Sequence, residues 1–465
     1  MTPAAPAPSP FGARFAVPLL LASTLNPINS SMLATGLTAL GDDLEVDPGT
    51  AALAIAVLYL TSAVALPVFG RLGLLFGARR MFVAGLAIVL VGGLVGTLAG
   101  DFATLLVARA VLGLGTAAAF PTAMALIRRR ADATGAAPTR LLGWFAISAQ
   151  LAFVVGLPLG GLLTGVFGWR ALLAVNLPLA TVALVVVRLG GERDPARPRR
   201  TARGLLVTLD LPGVALFAGA VTTLLLFLDA LETPTWWLLA VGVGLVAALV
   251  AWELHVAEPF VDVRALAANG PLVRTYLRQV VGSLAVFTAL YGVSQWMTQA
   301  GGLDAVTAGL VLMPLSVASI ALARLVSTRG WVRGPVVAGG VAIAAAGALL
   351  LAVRSDAAGL VPLLVAVSCL FGAAHGLTNV AAQTALYVQA PADAIGVAAG
   401  LQRTFGFLGA IYSSSLIGVT FGARATDGGL HLQALVILGL GAALALLGLD
   451  RGIPVRFAEQ RPPRT

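Results

Sequence analysis

The feature that most constrains this chain is a succession of fourteen long apolar runs separated by short charged or Gly/Pro-rich breaks. In the first half they fall near residues 15–40, 50–69, 81–99, 102–127, 140–166 and 171–188. Two follow near 211–230 and 236–253, and six near 272–298, 305–325, 335–353, 358–388, 395–421 and 430–449. Each approaches the roughly 20 apolar residues that one helix needs to cross a bilayer. In lipid the backbone must satisfy its own hydrogen bonds, so runs of this length are read as helices. Composition agrees: 59% of the 465 residues are hydrophobic and 11% are charged, against about 25% charged in soluble domains. The expected fold is an all-α polytopic membrane protein.

Residues 1–14 are Pro/Ala-rich and read as a disordered cytoplasmic N-terminus. The apolar stretch that follows is not a signal peptide, because it runs on through Asn26 and Pro27 to Leu40.

The positive charge is all arginine, since the chain has no lysine. In a soluble protein a pI near 11 would suggest nucleic acid. In a membrane protein it reflects arginine collected in cytoplasmic loops. With both termini cytoplasmic, 24 of the 29 arginines lie on the inner side and only Arg170, Arg354 and Arg424 lie outside. The remaining two, Arg109 and Arg403, fall within spans. This split supports an even number of spans and a multi-pass location in the cell membrane. The single cysteine, Cys369, rules out a disulfide within the chain. No metal-type cysteine cluster and no GxxxxGK[ST] phosphate loop occurs, so no metal, cofactor or direct use of ATP is expected.

A repeat organises the spans. GRLGLLFGARR, residues 70–80, and ARLVSTRGWVRG, residues 323–334, share R-L-x4-G-x2-R at a constant offset of 253 residues. The matching positions are Arg71, Leu72, Gly77 and Arg80 against Arg324, Leu325, Gly330 and Arg333. Each lies between the second and third span of a six-span unit. The chain thus divides into a six-helix bundle at 15–188, a linker with an extra two-helix hairpin at 189–265, a second six-helix bundle at 266–450, and a cytoplasmic tail at 451–465. Paired halves of this kind bind substrate where they meet.

At these residues the chain resembles the major facilitator superfamily, in particular its fourteen-helix drug:proton antiporter branch. GRLGLLFGARR, with Gly70, Arg71, Gly77, Arg79 and Arg80, is similar to that family's gating loop between helices 2 and 3. LLVARAVLGLGTAAAFP places Arg109 at the family's intramembrane arginine. GLPLGGLL, with Gly156, Pro158, Gly160 and Gly161, resembles its antiporter motif. FGWRALLAVNLP (167–178), QWMTQ (295–299) and AGLVLMP (308–314) also fit. The resemblance implies export of a small drug-like or natural compound by proton antiport. Two positions depart from the pattern. Leu74 stands where the family usually places a gate-locking aspartate, and Asn29 is the nearest match to the acidic residue of its first helix. Coupling through an acid on helix 1 is therefore not expected.

Polar side chains at bilayer depth usually face a cavity or a polar partner. Arg109 lies about seven residues into its span, roughly 10 Å along the helix. It reads either as a coupling residue or as a structural arginine bonded to backbone carbonyls. His375, Asn379 and Gln383 follow i+4 spacing, as do Tyr291, Gln295 and Gln299, which makes two polar stripes. Histidine titrates near neutral pH and could carry the coupling proton, or it could simply bond a neighbouring helix. Arg403 either attracts an anionic substrate or snorkels to the interface. Asn26 and Asn29 on span 1 and Gln150 on span 5 complete the candidates, each with the alternative of a helix–helix hydrogen bond. Gly156, Pro158, Gly160 and Gly161 read as close-packing and bending residues at a rocking interface. No carboxylate sits at mid-membrane, and Asp210, Asp229 and Glu253 are expected at the water-facing ends of the hairpin. The leading reading is a monomeric secondary exporter whose partners are a small molecule, a proton and the bilayer, without nucleic acid. Uptake or lipid movement on the same fold is the alternative, and a polytopic membrane enzyme is a more distant one.

Overall fold

The structure is a computed structural model and describes residues 11–455 except 47, 191–193, 195–209, 230–234, 258, 304, 358, 423 and 451. The described residues form helices joined by short turns. The first group is α1 (Ala13–Asp43), α2 (Pro48–Phe76), α3 (Ala78–Thr97), α4 (Phe102–Ala117), α5 (Ala119–Thr134), α6 (Thr139–Phe167), α7 (Ala171–Ala174) and α8 (Asn176–Gly190). A hairpin follows, α9 (Leu211–Asp229) and α10 (Trp236–Glu253), then the short α11 (Val263–Ala268). The last group is α12 (Gly270–Gln299), α13 (Ala305–Arg329), α14 (Arg333–Leu350), α15 (Leu360–Gln389), α16 (Ile395–Phe421) and α17 (Asp427–Gly448). Among the described residues, eleven helices are long and apolar enough to cross a membrane, with α4 and α5 counted as one. Their outer faces carry large apolar side chains in the open, such as Leu98 at 73% and Leu446 at 69% exposed. In water such a surface would aggregate, whereas lipid covers it.

Local sequence sets the helix ends. Asp101 opens α4 by accepting the Thr104 N–H at 2.8 Å, and Asn269 followed by Pro271 opens α12. A short polar acceptor before the first turn, with proline just inside it, is a favoured start. The two glycines of the sequence repeat both sit at turns with positive φ, Gly77 at +105° and Gly330 at +63°. A Cβ is strained there, so the repeat is a structural one. The gating segment is less of a loop than its sequence suggested: Gly70 and Arg71 lie within α2, and Gly77 alone makes the turn. A helix needs only one left-handed residue to end and restart.

One core is built from α1 to α8 and a second from α12 to α17. The first core extends into the other half through Tyr387, Ala390 and residues 395–401. These lie at the end of the molecule that carries most of the arginines. There Gly70 faces the Gly396 backbone, and Gly400 faces Leu66 and Pro67, so closely that a Cβ would lie within 2.6 Å of it. Gly143 on α6 packs on Ser327 of α13 in the same way. Two crossings, α2 with α16 and α6 with α13, thus join the halves. Ser327 Oγ donates to the Thr139 carbonyl (3.1 Å), Arg128 to the Tyr387 carbonyl (2.6 Å) and Thr404 to the Ala63 carbonyl (2.7 Å).

The hairpin rests against this seam. Val221 and Phe217 of α9 pack on Ala63, Phe407 and Ile411. Asp210 and Glu253 are not at a wet end as the sequence suggested: they are 3% and 1% exposed. Asp210 accepts from Gly213 N, Phe260 N and Trp252 Nε1, and Glu253 accepts from Val261 N. The segment after α10 folds back over the helix ends and supplies two of these donors, Phe260 N and Val261 N.

Candidate functional site

Between the halves, at mid-span, lies a belt of aromatic rings. Tyr59 of α2 meets Phe407 of α16 with ring centroids 5.2 Å apart. Tyr291 of α12 stacks on Phe287 at 5.8 Å and is 42% exposed. The Arg403 guanidinium lies 4.3 Å from the centre of the Phe120 ring, a cation–π contact across the seam. Arg109 is wholly buried, and its Nε donates to the Ala54 carbonyl at 2.6 Å. Its Nη1 and Nη2 find no protein acceptor.

A narrow cleft walled by α12, α14, α15 and α17 opens within the second half. Its polar lining comes from Thr275, Arg278, Gln279 and Ser283 on α12 and from His375, Thr378 and Asn379 on α15. His375 and Asn379 both line this cleft. Gln383 continues the stripe but is 3% exposed and donates to Asn379 Oδ1 at 2.6 Å. Ile453, from the segment after α17, reaches the same cleft. That segment is anchored by Asp450, which receives Arg274 Nε at 2.6 Å and Arg278 Nη2 at 2.7 Å. Burial raises the Asp450 carboxyl, but hydrogen bonds from Arg274, the Gly452 N–H and Arg278 outweigh it and hold it down to about 2.

Several sequence candidates occupy other surroundings. Asn26 Nδ2 donates to Ser62 Oγ and Thr116 Oγ1, both at 3.0 Å, tying α1 to α2 and α4. Asn29 is 2% exposed and exchanges hydrogen bonds of 2.5 and 2.9 Å with Asn176. Both are helix–helix glue, because a buried amide must find a partner and the nearest one is on the next helix. Gln299 does not line a cavity: at the end of α12 its Oε1 accepts the Ala425 N–H at 2.8 Å. Thirty residues of helix carry it past the polar mid-zone to the opposite face. Gln295 is half-buried on the same helix.

The antiporter glycines also differ from expectation. Gly156 fits α6 against Ser31 of α1 within one half, and nothing lies within 4 Å of a Cβ at Gly161. Gly160 is buried. The seam between the halves uses Gly70, Gly143, Gly396 and Gly400 instead. The side chains of Gln150 and Pro158 lie outside the described residues.

The α2–α3 turn shows how the chain manages without an aspartate at Leu74. Asp194, from the linker after α8, accepts the backbone N–H of Arg79 at 3.2 Å and of Arg80 at 2.9 Å. It also pairs with Arg129 of α5 at 3.2 Å. A Cβ at Gly77 would lie 2.3 Å from its Oδ2. A carboxylate at the first N–H groups of α3 also faces the positive end of the helix dipole. Arg79 Nη2 reaches the Val187 carbonyl at 3.1 Å, and Arg80 is exposed. Arg71 is half-buried in α2. Asn176, Asp194, Tyr59, Phe407 and Gln279 went unrecognised in sequence. Asn176 alone lay in a quoted motif, and for the others spacing carries no signal.

Comparison with known proteins follows this geometry. The Major Facilitator Superfamily profile matches residues 19–414. The "Uncharacterized MFS-type transporter YwoD" of Bacillus subtilis (strain 168) is 32% identical over 93% of this chain and 94% of its own length. The "Lincomycin resistance protein" of Streptomyces lincolnensis is 30% identical over 84% of this chain and 80% of its own. Among solved structures, the proton:xylose symporter XylE shares the fold, with a TM-score of 0.65 at 13% identity over 95% of both chains.

Proposed function

The chain belongs to the Major Facilitator Superfamily, a transporter and not an enzyme, and from that premise we propose that it exports a small hydrophobic or amphipathic organic compound. The observation that carries this reading is the seam. Two related halves close on each other at the arginine-rich end through glycine contacts at Gly70, Gly396, Gly400 and Gly143. An aromatic belt lies between the halves above that closure, and a polar cleft opens beside it within the second half. This is the arrangement that alternating access requires, with two rigid bodies rocking about a site between them. The arginine bias makes the closed end cytoplasmic, with both termini on that side, fourteen spans in all, and the hairpin of α9 and α10 between the halves. Asp194 serves as the gate carboxylate, holding the α2–α3 turn to Arg129 of α5.

Export is driven by proton antiport. His375, on the wall of the cleft in the second half, is the histidine at depth that carries the proton, and Arg109 is the fixed buried charge of the first half. That a resistance protein of Streptomyces lincolnensis is 30% identical over most of this chain favours outward transport of a drug-like compound.

The test is transport in inverted vesicles with an imposed pH gradient, using the parent, His375→Ala and Arg109→Ala. Accumulation that rises with an acid interior, and falls in both variants, is the expected result. Flux indifferent to the gradient would remove proton coupling. Full flux in both variants would remove these two residues and leave the fold untouched.

A further inference from the structure

Two cations lie inside this transporter without a counter-charge. No aspartate or glutamate occurs in α2, α3, α4, α6 or α12 through α16, and in α1, α5, α9, α10 and α17 acids occur only in the first or last turns. Arg109 offers five N–H donors. One meets the Ala54 carbonyl, and the two terminal nitrogens are buried with no protein acceptor. Arg403 lies eight residues into α16, roughly 12 Å from its start. It touches the face of Phe120, and among the described residues no carboxylate pairs with it. A cation–π contact replaces only part of the hydration of a guanidinium and neutralises none of its charge. Arg403 is also within electrostatic reach of His375. Nearby Gln402 leaves its Nε2 donor buried and without an acceptor.

The two arginines belong to one region. Arg109 is within electrostatic reach of Tyr59, Tyr59 meets Phe407, and Phe407 lies one helical turn from Arg403 on α16. Tyr59 in turn hydrogen-bonds Ser30 and neighbours Tyr291. Unsatisfied donors, positive charge and aromatic walls occur together, and among the described residues no carboxylate is paired with either arginine. A cationic drug would add a third positive charge to this region, and a neutral one would leave both arginines uncompensated.

We infer that the transported compound is an organic anion: an aromatic or apolar body bearing a carboxylate, sulfonate or phosphate that docks on Arg403, with Arg109 supplying the second positive charge. The inference rests on the reading of the chain as a transporter and narrows its substrate class. It also explains why an acid is dispensable on α1, where Asn29 is tied up with Asn176. The substrate itself brings the negative charge.

The experiment holds the aromatic body constant and changes only its charge. Dansylglycine (anion), dansylamide (neutral) and dansylcadaverine (cation) are titrated by fluorescence into the full-length protein in a neutral detergent. Dansylglycine is expected to bind at least about tenfold tighter than the other two, as for a charge-assisted pair out of water. Arg403→Gln should erase that preference and Arg403→Lys should keep most of it, with size-exclusion profiles reporting folding. Equal affinity for all three, tighter binding of the amide or the cation, or no saturable binding of dansylglycine each overturns the proposal. So does a preference that survives both Arg403→Gln and Arg109→Gln. Charge-indifferent binding with intact vesicle export would remove the anion and leave the exporter. Anion-selective binding without export would do the reverse.

Discussion

The two halves share a topology but treat their polar side chains in opposite ways. In the first half Asn26, Asn29, Ser62, Thr116 and Asn176 are bonded to one another across α1, α2, α4 and α8. In the second, Gln279, Ser283, His375 and Asn379 line an open cleft. Their repeated turns differ likewise. Gly77 is held by the carboxylate of Asp194, whereas beside Gly330 the Val332 N–H donates to the Val455 carbonyl at 3.2 Å. The amides of the first half are thus spent on binding its helices to one another, with the buried Arg109 as the exception, whereas the second half bonds its polar groups along single helices and lines a cleft with them. Two halves from one ancestral plan need not divide the work evenly.

The comparison breaks most severely at the seam that both halves share. Gly70→Leu would drive a side chain into the Gly396 backbone, where even a Cβ lies 2.5 Å away. We expect near-complete loss of vesicle transport with the protein still inserted, because one gate can no longer close. Wild-type flux in that variant would show that the seam opens and closes elsewhere.

A smaller effect separates the two bundles. Asn176→Ala leaves the buried Asn29 amide with one of its three bonds, that to the Leu25 carbonyl, which costs about 1–3 kcal/mol, or nearer 0.6 if membrane helix pairs set the scale. Asn379→Ala, on the wall of the cleft, should lower the melting temperature in detergent less and reduce transport more. If the two variants exchange these phenotypes, the division of labour between the halves is wrong.

The turns give a third contrast. Asp194→Asn keeps one acceptor oxygen where the carboxylate has two, so it loses one of the bonds from Arg79 N and Arg80 N together with the charge pair to Arg129. Its effect should shrink in high salt. The turn at Gly330 has no charge to screen, so the destabilisation by Gly330→Ala, which strains a positive φ, should be insensitive to salt. Thermal melts at low and high ionic strength read the difference.

The smallest effect is one of pH. Asp450 titrates near 2 in the folded chain, below its ordinary value. A depressed carboxyl contributes stability that is complete above its unfolded pKa of about 4 and is lost as pH falls toward 2. Melts of the parent should therefore weaken between pH 4 and 2 by slightly more than those of Asp450→Asn. Parallel curves would show that the anchor of the segment after α17 contributes nothing.

The apolar runs by themselves determined the helical fold, the approximate limits of most helices, the repeated turn and the two arginines at depth. They could do so because crossing lipid demands long uncharged segments, and because turns with positive φ demand glycine. Tertiary structure alone decided which polar side chains are glue and which are free. Asn29 and Asn379 look alike in sequence, yet one faces Asn176 on α8 and the other a cavity. It also decided that the glycines at the seam between the halves are 70, 143, 396 and 400, and that the carboxylate on the α2–α3 turn comes from a linker some 115 residues along the chain. Hydropathy is read along one helix at a time, whereas hydrogen bonding and close approach depend on which helix lies beside it.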